Sequence, residues 1–81
     1  MRDNELLSRI SALVDEEHEL RGRLRAGEVA SDAENARVQE LEAALDQCWD
    51  LLRQRRARRD AGENPDEATA RPPEQVERYR Q

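Results

Sequence analysis

Eighty-one residues make one domain at most, and a chain this short buries too little surface to be robust as an isolated monomer. Hydrophobic residues are 36% and charged residues 41%, with no Phe, one Trp and one Tyr, near the border between disordered chains and long exposed helices. The net charge of −5 argues against nucleic acid or anionic lipid as a partner held by overall charge.

One cysteine, Cys48, excludes an internal disulfide, and no Cys/His cluster suggests a structural metal or other cofactor. Every basic side chain is Arg, which reads first as GC-rich coding and second as a preference for guanidinium contacts. The segment Met1-Arg2-Asp3-Asn4-Glu5 lacks the apolar region of a secretory signal, and no apolar run approaches the roughly 20 residues of a membrane span. A cytoplasmic location is the expectation, and a lone thiol suits that reducing compartment.

Leu6, Ile10, Leu13, Leu20 and Leu24 alternate in steps of four and three, with Glu17 filling the gap. That is the heptad stripe of a helix, predicted over residues 4–25, with Asp3 or Asn4 as N-cap and Gly27 just beyond its end. Gly22 inside it is a weak point, or the mark of a close backbone contact.

A loop at 26–31 leads to Ser31-Asp32-Ala33-Glu34, a capping-box signature that opens a second helix over 32–61. Its stripe is Val38, Leu41, Leu45, Cys48 and Leu52, and Gly62 ends it. A short loop forces the helices antiparallel. The stripes then mirror across the turn: Leu20 with Val38, Glu17 with Leu41, Leu13 with Leu45, Ile10 with Cys48, Leu6 with Leu52. The fold class is therefore all-α, a coiled-coil-like hairpin (1–62) followed by a Pro-containing tail (63–81). In that tail Asn64-Pro65-Asp66-Glu67 predicts one helical turn. A last short helix starts at Pro73, and docking through Val76 and Tyr79 stands level with disorder.

The run from Leu45 to Arg59, including Asp46-Gln47-Cys48-Trp49-Asp50, with Gly62-Glu63-Asn64-Pro65 and Arg71-Pro72-Pro73, resembles a family of short actinobacterial proteins defined only as a domain of unknown function. The resemblance covers nearly the whole chain. It implies a bacterial cytoplasmic protein from a high-GC genome and carries no assigned activity.

Flanking the stripes are Leu7 and Val14 on the first helix and Ala44, Trp49 and Leu51 on the second. These are the candidate interface, because a two-helix seam leaves them exposed and a homodimer, as a four-helix bundle, covers them. Trp49 either packs over the hairpin and tail or anchors an interface.

Arg53, Arg55, Arg56, Arg58 and Arg59 form the one dense basic segment. Two uses compete: internal pairing with Asp3, Glu5, Asp66, Glu67 and Glu74, or binding of an external acidic protein or nucleic acid. Glu17, in an apolar stripe, needs a partner, and Arg37 is the expected one, so the pair is a candidate for setting register. Cys48 with His18 is the one nucleophile-base combination. Cys48 sits in the stripe and His18 does not, so no enzyme is expected. The reading is an interaction or regulatory protein that self-associates or docks on an unidentified protein. The alternative is a nucleic-acid-associated factor using Arg53–Arg59.

Overall fold

The computed structural model describes residues 2–27 and 31–79, with the side chains of 77–79 outside that description. Two long helices, α1 (Asp3–Arg25) and α2 (Asp32–Asp60), pack side by side as an antiparallel hairpin. A 3-10 turn (Pro65–Glu67) and a short helix, α3 (Pro73–Tyr79), follow, and both pack on α2. The chain is all-α among the described residues, as the patterning predicts.

The seam follows the mirrored stripes except towards the loop, where Leu24 is exposed and Leu20 and Val38 are only partly buried. Leu6, Ile10 and Cys48 are buried together, with Leu13, Leu45, Leu51 and Leu52 against them. Leu41, opposite Glu17, is also fully buried. Burying a Leu or Ile side chain stabilises by roughly 1.5–3 kcal/mol, so this short core is the main source of stability.

The ends of the helices follow local chemistry. Ser31 Oγ accepts from the Glu34 backbone N–H at 3.1 Å, and Glu34 Oε1 accepts from the Ser31 N–H at 3.3 Å, a complete capping box. Gly27 and Gly62 follow the two helices at φ of 88° and 78°, a left-handed conformation that side chains disfavour. At the second of these the Gly62 and Glu63 N–H groups donate back to Arg59 and Arg58 carbonyls, the double closure of a Schellman end.

The start of α1 departs from the sequence reading. Arg2 occupies the N-cap position and no side chain caps it. Asn4 instead accepts from the next N–H, of Glu5. Asp3 is diverted to two arginines of α2. Gly22 makes no close contact either: a Cβ built there meets nothing within 4 Å.

The tail is docked. Val76 is completely buried. Asn64 caps the 3-10 turn by accepting from the Asp66 N–H at 3.0 Å, with Pro65 supplying the fixed φ of a first helical position. Tyr79, the other residue expected to dock, has its side chain outside the described residues, as do loop positions 28–30.

Candidate functional site

The tail is held by a row of polar side chains on α2 that the apolar stripes do not reveal. Gln47, Asp50 and Gln54 recur at intervals of three and four, on the face turned away from the seam. Asp50 is 1% exposed. Arg71 donates to both its carboxylate oxygens, from Nε to Oδ2 at 2.9 Å and from Nη2 to Oδ1. Gln54 Nε2 donates to Oδ2 at 3.0 Å and also to the Thr69 carbonyl at 3.0 Å. Gln47 Nε2 donates to the Arg71 carbonyl at 3.1 Å. Tail backbone and tail charge are thus clamped by the same three residues. Hydrogen bonds from Arg71 hold the Asp50 carboxyl below the usual carboxylate range, although burial pulls the other way.

The five arginines divide by helical phase. Arg55 is buried at 6% exposure, which removes it from the candidates for external binding. Its Nε donates to Asp3 at 2.6 Å, and its Nη1 donates to the Pro65 carbonyl at 3.1 Å and to Asp66 at 2.9 Å. One guanidinium therefore ties the start of α1, the end of α2 and the 3-10 turn together. These bonds lower the pKa of Asp3 and of Asp66 and raise that of Arg55. Arg59 donates to the second oxygen of Asp3 at 2.6 Å, and Arg58 lies 3.6 Å from Glu63 and 3.7 Å from Glu67. Internal pairing accounts for these three. Glu5 and Glu74 form no ion pair with the segment among the described residues. Arg53 and Arg56 are exposed and make no ion pair among the described residues.

Glu17 and Arg37 are not partners. Arg37 Nε and Nη2 donate to both oxygens of Glu16, at 2.6 and 3.1 Å, and Nη1 donates to Glu40 at 3.1 Å. Glu16 projects to the flank that Arg37 occupies, whereas Glu17 points towards the seam one residue, or about 100°, away. Glu17 is half-buried and pairs with Arg21 of its own helix at 3.4 Å. Arg21 also donates to Glu42 across the other flank.

Those cross-helix pairs define two flanks, and the five interface candidates split between them. Ala44 and Leu51 lie on the tail side, where they share a cavity of about 190 Å³ with Leu6, Cys48 and Ala70. That is smaller than the ~300 Å³ at which small-molecule sites begin. Leu7, Val14 and Trp49 lie on the opposite flank, 49%, 46% and 40% exposed. The antiparallel register sets Trp49 opposite residue 9, so the indole falls between Leu7 and Val14 in height. Beside it a cleft of about 280 Å³ is lined by Glu17, Glu42, Leu45, Asp46 and Trp49. The open flank is thus an apolar strip with Arg53 and Arg56 at one end and carboxylates at the other.

Cys48 packs in the seam, while His18 is exposed about 12 Å further along α1 than Ile10, at 1.5 Å per residue. Thiol and imidazole are not brought together. Among the described residues no three His, Cys, Asp or Glu side chains are placed to hold a metal ion. Among the described residues, too, no helix is long and apolar enough to cross a membrane.

The family model described as "Protein of unknown function (DUF2630)" matches residues 2–81. The chain belongs to this family. It is also similar to "Uncharacterized protein Rv0898c" of Mycobacterium tuberculosis and "Uncharacterized protein Mb0922c" of Mycobacterium bovis. Each is 51% identical over 77 residues, covering 95% of this chain and 88% of the relative. These relatives agree with the actinobacterial resemblance carried by the Asp46–Asp50 run. No solved structure matches the chain.

Proposed function

We propose that this is a non-catalytic helical interaction protein of the cytoplasm. It works by presenting the Trp49 flank of its hairpin to a second copy of itself or to a larger protein. The observation that supports this reading is the asymmetry of the two flanks. The tail closes one of them through Asp50, Gln47, Gln54 and Val76, and leaves Leu7, Val14 and Trp49 half-exposed on the other. Covering such half-exposed side chains contributes about 1 kcal/mol each. Together that is comparable with the few kcal/mol available to a core of this size. Tryptophan is also among the residues enriched at the energetic centres of interfaces.

The nucleic-acid alternative rests on the arginine segment, and three of its five guanidinium groups face the chain's own carboxylates. Arg53 and Arg56 alone give a phosphate-binding surface little grip at a net charge of −5. Photo-crosslinking in the native host from a reactive residue at Val14 tests the interaction reading, with Glu63 as control site. Protein adducts concentrated at position 14 are expected. Equal or absent adducts at the two sites contradict it.

A further inference from the structure

Resting on that interaction reading, we propose that the occupant of the open flank is a second copy of this chain. Its α2 crosses antiparallel on a two-fold axis at Trp49, so that Arg53 and Arg56 of each copy meet Asp46 and Glu42 of the other. The basis is the order of charges along one stripe of α2. Arg53 and Arg56 follow Trp49 by four and seven residues, while Asp46 and Glu42 precede it by three and seven. Those steps keep all five positions on one face of the helix. An antiparallel copy runs through the same stripe in reverse. Each arginine therefore falls opposite a carboxylate, and the match is made twice by symmetry.

The stripe spans fifteen residues, about 21 Å, which is long enough for a helix-helix contact and leaves both indoles at its centre. The acidic ends of the match already engage a guanidinium, since Arg21 pairs with both Glu17 and Glu42. Glu42, Asp46 and Glu17 line the 280 Å³ cleft whose wall is Trp49, and an arginine entering it joins the Arg21 carboxylate network beside an aromatic face. Arg53 and Arg56 have the length and the exposure to enter. Leu7 and Val14, on the same flank, then face the corresponding α1 of the second copy and close a four-helix arrangement. The tail segment held by Gln47, Asp50 and Gln54 lies on the other flank and is left undisturbed.

Sedimentation equilibrium on the full chain and two charge-reversed variants tests this, with circular dichroism confirming that each stays helical. The wild type is expected at twice the 9.4 kDa of one chain at tens of micromolar. R53E and D46R each set like charges opposite one another twice, and each should weaken association about tenfold or more. An equimolar mixture of R53E and D46R should recover the dimer, since every contact in the mixed pair is again between opposite charges. A wild-type mass of 9.4 kDa throughout, a dimer indifferent to both substitutions, or a mixture that stays monomeric overturns the proposal. Adducts at position 14 to another protein, alongside a monomeric wild type, leave the interaction reading standing and this inference refuted.

Discussion

Asp50 and Arg71 lie twenty-one residues apart and form a two-pronged ion pair in which the carboxylate is almost wholly buried. The pair joins the outer face of α2 to a stretch of tail that has no regular structure of its own. A buried carboxylate that loses its cation is costly, so this contact decides whether the tail stays down.

Asp50→Asn and Arg71→Gln should each release the tail while leaving the hairpin folded. The cost is about 2–3 kcal/mol of tail docking, because Arg71 is partly exposed and its loss is softened by water. Hydrogen-deuterium exchange should show faster exchange across residues 64–76 and unchanged protection in α1. Loss of helix signal in both variants would instead make the pair essential to the whole fold.

Acid should loosen the molecule in a stated direction. Arg71 depresses the pKa of Asp50, Arg55 depresses those of Asp3 and Asp66, and Arg37 depresses that of Glu16. A depressed carboxyl stabilises above its unfolded value near 4, and that stabilisation is lost as the pH falls through the folded value. Helicity and tail protection should thus hold from pH 7 to about 5 and decline as the pH falls below about 4. Salt should weaken the Arg37–Glu16 pair more than the buried Asp50 pair. Stability rising on acidification through this range would contradict the assignment.

Within the arginine segment the effects should be uneven. Arg55→Gln removes a buried side chain that bonds Asp3, Pro65 and Asp66, and should lower the thermal midpoint by several degrees. Arg56→Gln, on an exposed position with good helix propensity, should change the stability of the monomer by less than about 0.5 kcal/mol. Thermal denaturation of both at low concentration separates them. Equal losses would mean that the segment acts as one structural unit.

Gly22→Ala should stabilise by about 0.5–1 kcal/mol, since the new methyl meets no neighbour and an exposed helix interior favours Ala. Chemical denaturation reads this directly. A loss of stability would show that the position serves a contact made only in an assembly.

The hairpin was legible because its signals are local and repeat. Apolar residues in steps of three and four, the Ser31–Glu34 box and the glycines at 27 and 62 each act within one or two turns. The tail clamp was not legible, because Asp50 stands on the face opposite the seam and looks like any solvated acid. Its one trace is the polar row Gln47, Asp50 and Gln54, where two amides flank a carboxylate at helical spacing. Amides of that kind suit main-chain carbonyls such as those of Thr69 and Arg71. Nor did the stripe separate Glu16 from Glu17, whose fates differ by a single step of 100°. The flanking apolar residues were recognisable as a class, but which of them the tail covers depends on Arg71 finding Asp50.

Trp49 is the sole indole in the chain, which makes its fluorescence a direct probe of the flank proposed to be the working surface. Emission and acrylamide quenching of the wild type should be followed from about 0.1 to 100 µM, with excitation chosen to spare Tyr79. A shift to shorter wavelength and falling quenching as concentration rises is the predicted result. Emission and quenching that stay constant at the values of a half-exposed indole would contradict closure of that flank by a second copy.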